Sequence, residues 1–342
     1  MSKTFKALEA SILVLERNPQ SHEEGGKFIL SVIEKKFEDL PKGDLLIKVE
    51  YSSLNYKDAM SASGIPGVTR NYPHTPGIDA TGEIVESEVR DFKEGDKVIV
   101  TGYDLGMNTS GGFGEYIRVP AGWAIHLPKG LSTKHSMSLG TAGLTAGLSI
   151  HALDNFREYL GFKDTKSVVT GSTGGVGSLA VMLLSKLGSE VTAVTGKKDK
   201  SDFLSLIGAS NILSREELVE TTKKPIGKSL WDLGVDVVSG ETLSLLLTSL
   251  SPGGAVACSG LVGGPSFESS IFPFILRGNA LIGIDSVEIP LKEKAHIWEH
   301  FASDWVLDHL DEITKEVSLV DLEAEIQSIL SGSQVGRVLV KI

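Results

Sequence analysis

The chain has one cysteine in 342 residues, Cys258, which excludes an intrachain disulfide framework and any site built from several thiolates. It is also short of positive charge. Lys and Arg number 33 against 44 Asp and Glu, and the formal net charge of −11 argues against a nucleic-acid surface. No stretch approaches the ~18 uninterrupted apolar residues of a membrane span. Residues 1–19 lack the long apolar core and cleavage site of a signal peptide. The expectation is a cytoplasmic protein with no membrane and no nucleic-acid partner. No G-x-S-x-G nucleophile elbow occurs, and Cys258 sits inside an apolar run, where a small core residue is the ordinary reading. His296 and His300 lie four apart on a predicted helix, but Ile297-Trp298-Glu299 between them breaks the H-E-x-x-H pattern. They read as two histidines on an amphipathic helix, and no metal is expected.

The most informative segment present is Ser167 to Gly188, SVVTGSTGGVGSLAVMLLSKLG. Val168 and Val169 read as a buried parallel strand, Gly171, Gly174 and Gly177 follow at three-residue spacing, and an apolar helix runs from Val176 to Leu187. Glycines serve such a turn in three ways: they allow a tight strand-to-helix reversal, close approach of backbone amides to a pyrophosphate, and close helix–sheet packing. The helix N-terminus adds unpaired N–H groups and partial positive charge. This is the pattern of a dinucleotide-binding turn.

Around that turn the chain divides into two textures, as its length allows. The first ~130 residues are rich in short strand-like runs broken by Gly and Pro, such as Leu45–Tyr51, Gly82–Val85, Lys97–Thr101 and Glu115–Val119. They predict a compact β-barrel-like domain. From about Met137 a helix of small residues leads into alternating strands and helices, which predict a parallel, doubly wound sheet. The predicted units are strand Glu190–Val194, helix Lys200–Ile207, strand Val235–Ser239, helix Glu241–Leu250, and strands Ala255–Gly260 and Leu281–Asp285. Helices Lys292–Leu307 and Asp321–Leu330 and strand Arg337–Ile342 close the chain. The fold class is therefore α/β, with residues 137–287 as the Rossmann domain and residues 1–136 and 288–342 as the other.

Cofactor choice turns on the end of the second Rossmann strand, about 20 residues beyond the first glycine, where an acid would bind the ribose 2′-OH of NAD. Here the sequence is Thr195-Gly196-Lys197-Lys198, with no acid until Asp199. A hydroxyl, a backbone N–H and cations suit a 2′-phosphate, so NADPH is expected over NADH.

Several motifs then carry a resemblance across nearly the whole chain: Pro76-Gly77-Ile78-Asp79, Gly111-Gly112-Phe113-Gly114-Glu115-Tyr116 and Gly140-Thr141-Ala142-Gly143-Leu144-Thr145-Ala146, all before the glycine turn. Together they resemble the medium-chain dehydrogenase/reductases, whose first domain is a GroES-like β-barrel. Zinc members carry a ligand histidine near Pro76–Asp79; Gly77-Ile78-Asp79 resembles the zinc-free, quinone-oxidoreductase-like branch instead. Asn55-Tyr56-Lys57-Asp58, Ser259 to Gly264, Pro273 to Arg277 and Gly283 to Val287 resemble the acryloyl-CoA reductase subgroup.

The resemblance implies hydride transfer from NADPH to a C=C bond conjugated to a carbonyl. Acryloyl-CoA or another short 2-enoyl thioester is the first substrate expectation and a quinone or 2-enone the alternative; an NADPH-binding structural or regulatory protein is the alternative of another class. No metal is needed, because an activated alkene accepts hydride directly if the reactants are aligned and the enolate-like oxygen is stabilised. The matching tyrosine of the subgroup faces the nicotinamide, so Tyr56 is expected to position the ring or donate a proton. Asn55 and Arg70 are candidate substrate contacts, although Asn55 and Asp58 also suit side-chain to backbone bonds near a turn. For the cofactor, the resemblance assigns Thr173, Gly174, Gly175 and Val176 to the pyrophosphate. It gives Thr195, Gly196 and Lys197 the 2′-phosphate, with Arg215 nearby. Leu261, Ile275 and Ser286 are assigned to the nicotinamide flank, and Thr141 and Thr145 to its pocket. A homodimer through the Rossmann sheets is the family default.

Overall fold

The computed structural model describes residues 4–13, 27–221 and 226–342; residues 1–3 and 14–19 of the start read above for a signal peptide lie outside them. In chain order the first elements are β1 (Thr4–Leu13), β2 (Lys27–Lys36), β3 (Leu45–Ser53), α1 (Tyr56–Ala62), β4 (Asp79–Ser87), β5 (Lys97–Thr101), β6 (Tyr116–Val119), β7 (Ala124–His126) and α2 (Thr133–Phe156). There follow β8 (Lys166–Thr170), α3 (Gly175–Lys186), β9 (Glu190–Thr195), α4 (Ser201–Leu206), β10 (Asn211–Ser214), α5 (Arg215–Thr221), β11 (Trp231–Asp236), α6 (Gly240–Ser249) and β12 (Leu250–Cys258). The chain closes with α7 (Phe272–Arg277), β13 (Ala280–Gly283), α8 (Leu291–Phe301), β14 (Thr314–Ser318), α9 (Leu322–Leu330) and β15 (Arg337–Lys341). Among the described residues no helix is long and apolar enough to cross a membrane.

Two compact units result. One comprises residues 1–141, 290–295 and 311–342, the other 142–289 and 296–310. Relative to the boundaries expected from sequence, residues 296–310 fall with the Rossmann sheet, because Ile297, Phe301 and Trp305 close over Gly147 of α2, leaving no room for a Cβ there.

In the first unit the sheet runs β14-β15-β3-β4-β5-β7. Strand β3 divides one edge between two partners: Leu45–Lys48 pair with β6 and Tyr51–Ser53 with β15. Alternation sets the core, since Leu45, Ile47 and Val49 point inward with Ile84, Val98, Val100, Ile117 and Val119. Helices α1 and α9 cover a second cluster around Leu54, Leu322, Ile326, Val338 and Val340.

The second unit is an all-parallel sheet in the order β10-β9-β8-β11-β12-β13. Counted from β8 this is 3-2-1-4-5-6, the Rossmann order, whose ligand crevice opens at the C-terminal ends of the strands where the order reverses, between β8 and β11. Its core joins Val168, Val194 and Val256 of the strands to Leu243, Leu246 and Leu247 of α6.

Strand β11 and helix α8 depart most from the ends that the pattern predicts. Strand β11 stops at Asp236, whose carboxylate accepts the Ser239 N–H at 2.8 Å and turns the chain into a left-handed residue, Ser239 (φ 67°). Helix α8 stops at Phe301 rather than Leu307. There the Ser303 hydroxyl donates to the Glu299 carbonyl at 2.7 Å and to Asp304 at 3.0 Å, local bonds that compete with helix continuation.

Candidate active site

The dinucleotide half of the site is built at the end of β8. Gly171 takes φ 57°, its carbonyl accepts the Gly174 N–H at 2.9 Å, and α3 begins at Gly175. A Cβ on Gly177 would sit 2.3 Å from the Gly171 carbonyl oxygen, so only glycine lets the helix pack so close to the turn. No side chain caps α3 and its first turn carries no acid, which leaves the N-terminal N–H groups to an anion. Thr173 is buried at the turn, with Gly174 as N-cap and Gly175 and Val176 in the first helical turn. The four expected pyrophosphate contacts are thus contiguous.

At the end of β9, Thr195 is buried and its hydroxyl accepts the Lys197 N–H at 3.0 Å. The Arg215 guanidinium lies over Gly196, where a Cβ would come within 3.2 Å of its central carbon. Lys198 pairs with Glu216 at 3.4 Å and Lys200 with Asp199 at 2.7 Å. Partial burial lowers the Lys197 pKa, and the neighbouring Lys200 and Arg215 charges push it the same way against Asp199. An excess of positive charge therefore collects at the strand end where a 2′-phosphate would lie.

Further along the sheet, Thr145 of α2 donates to the Ser286 hydroxyl at 2.8 Å, and both are buried. Leu261 and Ile275 are 62% and 65% exposed, within an apolar stretch shared with Val262, Ile271, Phe272 and Leu276. A cleft at the ends of β12 and β13 is lined by Cys258, Ser259, Gly260, Gly283, Ile284 and Asp285. Beside it, buried Asp236 accepts the Thr170 hydroxyl at 2.6 Å, and burial raises its pKa. Burial and this Asp236 charge also raise the Cys258 thiol, keeping it protonated and a poor nucleophile.

In the other unit Tyr56 is the first residue of α1 and keeps 39% of its surface exposed. Its position is set by a buried polar network, of which sequence reading anticipated only side-chain to backbone bonds of Asn55 and Asp58. Asp58 accepts the Asn55 N–H at 2.7 Å, the Asn55 amide at 3.2 Å and the Ile78 N–H at 2.7 Å. Asp79 accepts the Ser53 hydroxyl at 2.5 Å, the Asn55 amide at 2.8 Å, and the Thr141 N–H and hydroxyl at 2.8 and 2.5 Å. Both expected site side chains, Asn55 and Thr141, are thus engaged by the protein itself. Arg70 is exposed, and its N–H donates to Asn108 at 3.2 Å.

Arg337, fully buried at the start of β15, completes the network. Its Nε donates to the Ser138 carbonyl at 2.9 Å and one Nη to the Leu54 carbonyl at 3.4 Å. Between Ser138 and Thr141, Gly140 breaks α2 with φ 52° and ψ −157°. The cation therefore sits at the C-terminal end of the first half-helix and the Asp79 carboxylate at the N-terminus of the second, the charge order that the helix dipole favours at both.

Burial pushes the Asp58 carboxyl from 3.8 up to about 7, and Asp79 adds to the rise against the N–H donors that oppose it. Between these values the folded state holds a proton that the unfolded chain has lost. The resulting stabilisation is complete below the unfolded value and disappears as pH rises through about 7. Asp58→Asn mimics the protonated form. Urea unfolding should therefore show wild type losing stability relative to the variant from about pH 5 to about pH 8; a constant difference would show that Asp58 does not titrate there.

With this geometry established, comparison with known proteins is direct. Residues 41–129 match the alcohol dehydrogenase GroES-like domain and residues 175–303 the domain described as zinc-binding dehydrogenase. The chain is 43% identical to the putative quinone oxidoreductase YhfP of Bacillus subtilis over the full length of both. It belongs to the medium-chain dehydrogenase/reductase family, in its quinone-oxidoreductase-like branch. It is also 40% identical to the acrylyl-CoA reductase AcuI of Ruegeria pomeroyi, over 94% of this chain and 96% of that one. The crystal structure of YhfP with NAD bound superposes with a TM-score of 0.91 over all of both chains. That of the yhdH oxidoreductase of Salmonella enterica in complex with NADP is 37% identical and superposes at 0.90, over 98% of this chain and 99% of that one. This family member is an oxidoreductase with a GroES-like domain and a Rossmann-like parallel sheet.

Proposed function

We propose that this protein is an NADPH-dependent reductase of the C=C bond of a short 2-enoyl thioester, acryloyl-CoA being the reference substrate. The observation that carries the reductant is the cationic pair of Lys197 and Arg215 at the end of β9, downstream of an uncapped α3 N-terminus. A dianionic 2′-phosphate there relieves the repulsion between the two cations, whereas a 2′-hydroxyl does not. When bound, the dihydronicotinamide supplies the hydride. The α3 amides with Thr173, Gly174, Gly175 and Val176 hold the pyrophosphate. Thr195, Gly196, Lys197 and Arg215 hold the 2′-phosphate, and Thr141, Thr145, Leu261, Ile275 and Ser286 border the nicotinamide. Asn55 acts through the α1 terminus to fix Tyr56, which positions the reacting groups, and Arg70 meets anionic groups of the thioester. A quinone or 2-enone is the second reading, supported by the name of YhfP.

NADPH oxidation followed by absorbance tests the substrate. Acryloyl-CoA should exceed both a simple enone and a 1,4-quinone by at least about tenfold in kcat/KM, and a quinone leading the series would overturn the thioester reading. Tyr56→Phe is expected to retain kcat within about threefold, whereas Tyr56→Ala should lose about 100-fold, the split expected if the ring positions rather than donates a proton. An equal loss in both variants would assign the proton to the phenol.

A homodimer is part of the proposal. Strand β13 ends the parallel sheet, and the exposed Val262, Ile271, Phe272 and Leu276 lie in the segment that leads to it. A second copy covers both features at once. Sedimentation should give a dimer for wild type and a monomer for the double variant Ile271→Glu, Leu276→Glu; a monomeric wild type refutes this assembly.

A further inference from the structure

Apart from the cofactor and Tyr56 sites, α8 and the turn after it assemble a cluster of imidazoles. His296 and His300 present their Nε2 atoms to each other at 3.3 Å. His300 Nδ1 lies 2.8 Å from the Asp304 carboxylate, and its ring stacks on Trp305 at 4.5 Å and 19°. His151 of α2 packs edge-on against His296 at 5.1 Å. All five residues belong to the same compact unit, and the proposed reduction uses none of them.

A carboxylate only accepts hydrogen bonds, so Asp304 requires the neutral His300 proton on Nδ1 and leaves an Nε2 lone pair directed at His296. Two imidazole nitrogens bound at 2.0–2.1 Å to one tetrahedral ion stand roughly 3.3 Å apart. That is the separation observed. A carboxylate that orients a ligand imidazole through its far nitrogen is the usual outer partner of a metal-bound histidine. Trp305 and His151 pack against the two rings and restrict their rotation, which reduces the entropy lost on binding.

We propose that His296 and His300 form a two-imidazole site for a late first-row divalent transition-metal ion, with Asp304 orienting His300. Among the described residues no group of three ligating side chains converges, so water fills the remaining positions. Without metal, His296 donates its Nε2 proton to His300. On binding, that proton moves to Nδ1 of His296, both rings stay neutral, and each Nε2 lone pair is given to the ion. Affinity follows ligand-field preference, Cu²⁺ above Ni²⁺ and Zn²⁺.

The test uses the full-length protein in a non-coordinating buffer. Calorimetric titration with Ni²⁺ should give one ion per chain, and Cu²⁺ should quench tryptophan fluorescence with the same stoichiometry because Trp305 stacks on a ligand ring. His296→Gln and His300→Gln should each weaken Ni²⁺ binding by at least about tenfold, and Asp304→Asn by about tenfold. Saturating Ni²⁺ should raise Tm in wild type and not in the double glutamine variant. Retained acryloyl-CoA reduction and an unchanged circular dichroism spectrum in the variants separate loss of the site from loss of the fold. No saturable binding to wild type, or equal affinity in the double variant, overturns the proposal.

Discussion

Lys197→Glu is expected to raise the Kd for NADPH about 100-fold and to leave the Kd for NADH within about threefold. The wild-type ammonium makes a charge-assisted contact of about 1.5–3 kcal/mol with a 2′-phosphate, and the introduced carboxylate adds repulsion at the same point. A total near 2.7 kcal/mol corresponds to the 100-fold change. NADH lacks the phosphate and presents a 2′-hydroxyl, which a carboxylate can accept from. The strand end itself should survive the substitution, since Lys197 is only partly buried and the bond from its backbone N–H to Thr195 is kept. Fluorescence titration with both nucleotides measures the ratio directly. Raised salt should weaken NADPH more than NADH in wild type and lose that distinction in the variant. Unchanged NADPH affinity would refute the assignment of the phosphate cradle.

Arg337→Met should destabilise the protein by about 3–5 kcal/mol, the range for removing one partner from a buried charged cluster. The methionine fills much of the volume but removes the donors to the Ser138 and Leu54 carbonyls and the positive charge facing Asp79 and Asp58. Burial lowers the arginine's own pKa to about 10, with both carboxylates opposing the shift, so the group is charged at neutral pH. If the loss arises from uncompensated charge, Asp79→Asn in the Arg337→Met background should cost less than in wild type. Chemical denaturation of the four proteins in this cycle gives the coupling. Additive losses would show that Arg337 acts independently of Asp79. Gly140 belongs to the same arrangement, because a Cβ there would come within 2.3 Å of the Ser53 hydroxyl and 2.7 Å of Asp79.

Much of the Rossmann unit is legible residue by residue, because its signals are local. Val168 and Val169, the glycines at 171, 174 and 177, and the apolar run beyond them specify strand, turn and helix within a few residues of one another. The antiparallel pair of β1 and β2 has no such signal: Phe5, Ala7, Leu8 and Ala10 are all buried, so burial switches faces along β1 and leaves no regular alternation to read. At the candidate site, Lys197 follows from its place after β9, whereas Arg215 over Gly196 depends on where α5 begins. The roles of Asn55 and Thr141 also depend on context. Each carries groups suited to a ligand, and in the folded chain groups of both bond to Asp79.

The sequence by itself determined the family, the position of the dinucleotide turn, and the absence of an acid at the end of the second strand. These rest on side-chain chemistry and backbone freedom within short spans. Only the tertiary structure decided that Asp58, Asp79 and Arg337 form one buried network around a broken helix and that two imidazoles stand 3.3 Å apart. The network joins residues separated by as many as 283 positions, such as Leu54 and Arg337. The imidazole arrangement depends on a rotamer held by Asp304. Neither relation exists until packing brings the groups together, since an unfolded chain leaves such carboxylates, guanidinium and rings separately hydrated.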